Sequence, residues 1–191
     1  YYNAKVSNYD VYPAMFELAF KLHQQDMFFG PMVAFKQHYF GAVAARLQMP
    51  LVQDKKALLD TAWKEILIAL KLEKNAPCIY NELGNLYMIK NDYANAEKNY
   101  LEALKGKPEW AVPMSNLSDL YLEKNNMGKA ILFADSAKRN QPSLLDIDFN
   151  YGNIYEKKGN MLLAEETFRK TIAKNDRHFY PIERLGFVYL N

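Results

Sequence analysis

Cysteine is nearly absent: Cys78 stands alone among 191 residues. No disulfide can form within the chain, and cysteine usage leaves the redox compartment open. Cys78 itself reads as a small apolar residue at a helix start. Charge of one sign is also lacking. Charged residues make up 24% of the chain but leave a net charge of only +2, so no global field recruits nucleic acid or an anionic membrane. Lys and Arg are spread along the whole chain against almost as many acids, which argues against a nucleic-acid partner. Long apolar runs are missing too. "PMVAF" and "FELAF" break well short of the roughly 18 residues a bilayer span needs, so the expectation is a soluble segment without membrane contact, its compartment open. No basic stretch with an apolar core opens the chain. Because it begins at Tyr1 and not at Met, a processed or shortened beginning is expected.

Catalytic and metal-binding patterns are equally scarce. His23, His38 and His178 are scattered, and none has a second histidine, a cysteine or a carboxylate at a ligand spacing such as HExxH. Each reads as a surface or satisfied histidine. Neither glycine-rich nucleotide-binding motif is present. The carboxylates of "ELGN" and "LLAEETF" fall on helix faces, where solvation and i,i+4 pairing account for them. Asn116-Leu117-Ser118 matches a glycosylation sequon but falls inside a predicted helix. The chain therefore reads as no enzyme, with no cofactor and no metal site. At this length one domain of ordinary size is expected, with a buried core.

What the chain does have is a period. "YNELGNLYMIKNDYANAEKNYLEAL" begins at Tyr80, and "MSNLSDLYLEKNNMGKAILFADSAK" follows 34 residues later at Met114. After the same interval comes "DFNYGNIYEKKGNMLLAEETFRKTI" at Asp148. In register, the large position is Leu83, Leu117, Tyr151 and Leu185, and the small one beside it is Gly84, Ser118, Gly152 and Gly186. Tyr87, Tyr121, Tyr155 and Tyr189 follow three residues after the small one. Downstream stand Ala96, Ala130 and Ala164, then Tyr100 with Ala103, Ala134 with Ala137, and Phe168 with Thr171. Pro108 and Pro142 close two units, with Asp176 in the third equivalent place.

Leu83, Gly84 and Tyr87 share one face of a helix, and Ala96, Tyr100 and Ala103 share one face of the next. Small residues admit a close backbone approach, and large ones fill the notch opposite. "KNDY", "KNNM" and "KKGN" are turn-formers between the two helices. Each unit is thus a helical hairpin that must stack on a neighbour to bury its apolar face. The aromatics, 14% of the chain, are mostly consumed by these packing positions, which leaves few as stacking platforms for bases.

These residues resemble the tetratricopeptide repeat, with its large-small pair, its Tyr, its small–aromatic–Ala trio and its closing Pro. Ala134 and Thr171 depart from that pattern. The resemblance implies an all-α fold, a right-handed superhelix of about ten antiparallel helices. It covers residues 77–191 as three full repeats (77–110, 111–144 and 145–178) and the first helix of a fourth (179–191). Upstream, residues 13–76 read as divergent N-terminal helices with a degenerate repeat. Ala62, Ile66 and Ala69 sit 34 residues before the Ala96 trio, so residues 56–75 hold a second helix. Its first helix is displaced by Pro50 to residues 32–48, with Phe40-Gly41 as the large-small pair and a loop at 49–54. A helix from Pro13 to about Phe28 precedes it, behind an N-terminal arm at 1–12.

In such repeats the first helix of each hairpin lines the concave face. Its outward positions lie two before, one before and two after the large residue: Asn81, Glu82, Asn85; Ser115, Asn116, Asp119; Phe149, Asn150, Asn153; and Glu183, Arg184, Phe187. Five asparagines among the nine positions of the full units can match a peptide's C=O and N–H groups. Asn81, Asn85, Asn116, Asp119, Asn150, Asn153 and Arg184 are accordingly the predicted peptide-binding residues. The family's carboxylate clamp for chaperone tails is disfavoured, because Asn81 and Asp146 stand where its lysines belong. The expected function is a protein-interaction scaffold that holds an extended peptide or a partner's helix. The alternative is an architectural or oligomerisation module of a larger protein. "YPIERLGFVYLN" ends the chain as half a hairpin, so its apolar face is expected to meet another subunit or a continuation of the chain.

Overall fold

The computed structural model describes residues 31–174 and, beyond them, Arg184. Eight α-helices run through the described stretch with no strand among them. Helix α1 (Pro31–Gln48) is followed by a single 3-10 turn at Met49–Leu51 and by α2 (Lys55–Leu72); then come α3 (Pro77–Ile89), α4 (Tyr93–Gly106), α5 (Ala111–Glu123), α6 (Met127–Asn140), α7 (Leu145–Lys157) and α8 (Met161–Lys174). The predicted arm at 1–12 and helix at 13–28 lie outside the described residues, as does the predicted half-hairpin at 179–191 apart from Arg184, which is helical. The sequence predicts about ten helices; eight fall within the described residues.

Two compact units divide the chain at Gly106 and Lys107, where length alone predicts one domain. Repeats touch only their neighbours, so a chain of hairpins need not condense around a single core. In the first unit α1 packs on α2 and α3 on α4, while both α1 and α2 contact α3. The second unit repeats this arrangement: α5 pairs with α6 and α7 with α8, and both α5 and α6 contact α7.

Each second helix buries its trio through the face that the 34-residue period marks. Ala96, Tyr100 and Ala103 are buried in α4, Ala130, Ala134 and Ala137 in α6, and Ala164, Phe168 and Thr171 in α8. In α2 the corresponding Ala62, Ile66 and Ala69 are fully buried. The small residue of the first helix is required by what lies opposite. A Cβ on Gly84 would stand 2.4 Å from Tyr100 Cε1, and one on Gly152 2.3 Å from Phe168 Cε1. Gly41 is different, because the nearest atom to a Cβ there is Glu65 Oε2, at an ordinary 3.4 Å. Phe40-Gly41 is therefore no copy of the tight notch of the later repeats.

Both departures from the repeat pattern have local reasons. Thr171 is fully buried but donates its hydroxyl to the Thr167 carbonyl one turn back, at 3.0 Å. Ala134 occupies the place of Tyr100 and Phe168 in the hairpin whose small position is Ser118, a larger residue than glycine. Ring packing in that hairpin comes instead from Tyr121 stacked on Phe133, with centroids 5.5 Å apart.

The tight turns recur with the same chemistry. Asn91, Asn125 and Gly159 take left-handed φ values of 57°, 55° and 76°. Around each, two backbone bonds close the preceding helix. Asn91 N donates to Met88 O and Asp92 N to Tyr87 O; Asn125 and Asn126 donate to Leu122 and Tyr121, and Gly159 and Asn160 to Glu156 and Tyr155. This is the Schellman arrangement, for which glycine or asparagine is the usual left-handed residue. The residue after it caps the next helix: the side chains of Asp92, Asn126 and Asn160 accept from the N–H groups of Asn95, Lys129 and Leu163. The bonds from Asn95 hold the Asp92 carboxyl below its ordinary range.

Candidate peptide-binding face

The first helices carry the predicted binding residues, and their three register positions have different fates. At Glu82 and Asn150 the position one before the large residue does not point to solvent but lies in the seam between two first helices of the same unit. In the first unit Glu82 of α3 is 1% exposed and accepts from Arg46 Nε of α1 at 2.5 Å. The reading of the "ELGN" carboxylate as a solvated helix face is thus overturned by its burial against a cation on the neighbouring helix. In the second unit Asn150 of α7 is fully buried against α5. Its Oδ1 accepts from Ser115 Oγ at 2.7 Å, while its Nδ2 donates to the Ser115 carbonyl at 2.8 Å and to Asp119 Oδ1 at 2.9 Å. The Asn150 amide is occupied by α5. Ser115, named only as an outward position by register, is its main partner and 2% exposed.

The remaining predicted residues are distributed as follows. Asn81 is buried; Asn85, Asn116, Asp119, Asn153 and Arg184 are half-buried. Arg184 is paired with Glu156, its Nε 3.0 Å from Oε2 and its second nitrogen on Oε1. Asp119, Asn153 and Arg184, together with Phe149, Leu122, Glu123 and Lys157, line a cavity of 330 Å³ in the second unit. Two residues from α5 and α7 predicted separately, Asp119 and Asn153, are thereby brought to one place with Arg184. Asn81 and Asn85 belong to the first unit.

The position two after the large residue shows how one atom changes its surroundings. In the first unit Asn85 Oδ1 accepts from the Tyr100 hydroxyl at 2.9 Å, and its Nδ2 donates to Glu82 Oε2 at 3.0 Å. Asn153 has the same register relative to Phe168, which supplies no hydroxyl. Its buried Oδ1 has no hydrogen-bond partner. Because the Phe168 and Tyr100 rings meet Gly152 and Gly84 through the same ring carbons, a tyrosine at 168 would bring its hydroxyl to that oxygen. Phe168→Tyr is expected to raise stability by about 1 kcal/mol and Tyr100→Phe to lower it by about as much. Urea titrations of the two variants, followed by far-ultraviolet circular dichroism, measure both.

Several titratable groups elsewhere are held in ion pairs or by burial. His38, 9% exposed, places Nδ1 2.6 Å from Glu65 Oε2 and is a satisfied histidine. His23 and His178 lie outside the described residues. Glu165 and Arg169 form the i,i+4 pair at 2.9 Å that the "LLAEETF" stretch predicts. Asp148 of α7 receives Lys174 and Lys170 of α8. Burial pushes the Cys78 thiol up, which makes it a poor nucleophile at neutral pH. Burial, and then the bond to Asp135, push the Tyr151 phenol up. Ser118 of the sequon is fully buried in α5. Among the described residues no three His, Cys, Asp or Glu side chains gather as a metal site, and no helix is long and apolar enough to cross a membrane.

Comparison with known proteins agrees with this geometry. The family profile of the tetratricopeptide repeat matches residues 79–109 and 149–173, which cover most of the α3–α4 and α7–α8 hairpins. No curated protein sequence matches the chain. A thermophilic tetratricopeptide-repeat protein of Thermus thermophilus superimposes with a TM-score of 0.70 at 16% identity, over 94% of this chain and 91% of that one. A tetratricopeptide-repeat protein from Parabacteroides merdae gives 0.58 at 16% identity, over 94% and 72%. A chain of the APC/C hetero-tetramer Cut9-Hcn1 gives 0.62 at 16% identity, over 93% of this chain and 36% of its own length. Two hairpins match the profile of the tetratricopeptide repeat, and the chain shares its fold with solved proteins built from that repeat.

Proposed function

We propose that this protein is an interaction scaffold that holds an extended peptide of a partner protein against its first-helix face, centred in the second unit. Tetratricopeptide repeats generally mediate protein–protein interaction, and one structural neighbour is solved as part of a hetero-tetramer. The observation that carries the finer reading is the cavity in which Asp119, Phe149, Asn153 and Arg184 meet. It combines an aromatic surface with donors and acceptors spaced along two adjacent helices, the mixture an extended peptide needs for its backbone and one side chain. Asn116 lies one helical turn before Asp119 on α5 and extends the polar row. Asn150 supports the row from below by fixing α7 to α5.

The test is selection of dodecapeptides from a random phage-displayed library on the full chain, followed by fluorescence anisotropy with the labelled winners. Selected peptides are expected to bind, and Asn116→Ala with Asn153→Ala is expected to weaken them about tenfold, the loss of roughly 1.4 kcal/mol. Thermal melting serves as the folding control. A library that yields no binder, or binders indifferent to the double substitution, overturns the assignment.

A further inference from the structure

Helix α1 is buried on two sides, and the described elements account for one of them. Phe35, Ala42, Ala45 and Met49 are its contribution to the core shared with α2 and α3. His38 and Gly41 meet Glu65 of α2, and Arg46 meets Glu82 of α3. At about 100° per residue, Gln37 and Ala44 stand across the helix from those four core residues. Yet Ala44 is 1% exposed and Gln37 7%. Phe40, Leu47 and Gln48, which flank them on the helix, are themselves half-buried, so the cover is not supplied by the side chains of α1.

The repeat shows what belongs on that side. Gly41 faces α2 as Gly84 faces α4, which aligns Gln37, Phe40, Val43 and Ala44 of α1 with Tyr80, Leu83, Leu86 and Tyr87 of α3. In α3 this face meets the preceding second helix. The Tyr80 hydroxyl donates to the carbonyl of Lys74, just past the end of α2, at 2.7 Å, and Tyr87 packs on Trp63 of α2 with ring centroids 4.9 Å apart. In α7 the place of Phe40 is taken by Tyr151, whose hydroxyl donates to Asp135 of the preceding second helix, α6. We propose that residues 13–28 fill the corresponding place on α1, as the second helix of a preceding hairpin, and so close its apolar face. Two residues, Phe29 and Gly30, join this segment to Pro31 at the start of α1, which holds it beside the face at high effective concentration. Met15, Phe16, Ala19 and Phe20 recur at the spacing of one helix face and supply the apolar side that the contact needs. A second copy of the chain would have to compete with that tethered segment.

The experiment uses the full chain with Cys78→Ala, so that an introduced cysteine is the sole thiol. Ala44→Cys is expected to react with a maleimide at least tenfold more slowly than an unstructured peptide thiol. Adding Phe16→Glu and Phe20→Glu, which spoil the apolar side of the segment, is expected to speed that labelling at least tenfold. Ala62→Cys, in the core of the first unit, is the control and is expected to stay slow with and without the two glutamates. Fast labelling at position 44 without the glutamates overturns the proposal, because the face is then open. Slow labelling that the glutamates leave unchanged overturns it too, because another element then covers the face. Equal acceleration at positions 44 and 62 counts against it in the same way, since position 44 is then protected by the whole fold and not by the segment. Slow labelling at 44 only at concentrations where light scattering finds a dimer assigns the face to a second copy and overturns the assignment to residues 13–28.

Discussion

Arg46→Ala is expected to lower the stability of the protein by about 3 kcal/mol, because it strands a buried carboxylate. Glu82 is 1% exposed and accepts from Arg46 Nε at 2.5 Å; its other bond is from the neutral amide of Asn85. Asn85 in turn accepts from Tyr100, so the charge sits at the head of a chain of hydrogen bonds that joins α1, α3 and α4. Removing the guanidinium leaves Glu82 with desolvation that one amide does not offset. Removing both charges is a different matter. Arg46→Met with Glu82→Leu replaces the pair by apolar groups of similar size and is expected to fall within about 1 kcal/mol of the parent. Urea midpoints of the parent, the single and the double variant measure this directly. A single variant as stable as the parent would show that water reaches Glu82 and that the seam is not closed there.

Gly152→Ala is expected to destabilise by about 2 kcal/mol, although alanine favours a helix over glycine by about 1 kcal/mol. A Cβ at this position would stand 2.3 Å from Phe168 Cε1 and 2.6 Å from its Cδ1, and Phe168 is fully buried. Neither ring nor helix can withdraw without opening the hairpin. Phe168→Ala alone leaves a ring-sized cavity and is expected to cost about 3 kcal/mol or more. The double variant Gly152→Ser with Phe168→Ala installs the pair that the middle hairpin carries as Ser118 and Ala134. It is expected to be at least about 1 kcal/mol more stable than the sum of the single changes. A double-mutant cycle by chemical denaturation gives this coupling energy. Strict additivity would mean that small residue and ring do not occupy one notch, contrary to the contact at Gly84 and Tyr100 in the equivalent hairpin.

Much of the fold was legible because helix packing imposes a period. Large, small and aromatic residues recurred at 34-residue intervals, and the same residues form the buried faces of α3 to α8. The turns were legible for a related reason: only glycine and asparagine serve well at φ near +60°, and they stand at 91, 125 and 159. Displacement of the first helix upstream followed from Pro50, and α1 ends at Gln48 before it. The candidate site was legible only in part. Register places Glu82, Asn116 and Asn150 at one equivalent position, and the pattern gives no sign that Glu82 and Asn150 face a neighbouring helix rather than solvent. The residues that bury them, Arg46 and Ser115, lie 36 and 35 positions away and carry no motif.

The sequence by itself therefore determined the hairpin, its length, its turns and the apolar faces it must bury. These follow from local backbone preferences and from a spacing that any single repeat displays. Only the tertiary structure decided which polar side chains are spent between repeats and which acceptor stays unfilled. That depends on the partner brought across a seam or a notch: Arg46 for Glu82, Ser115 for Asn150, and for Asn153 a phenylalanine where Asn85 meets a tyrosine.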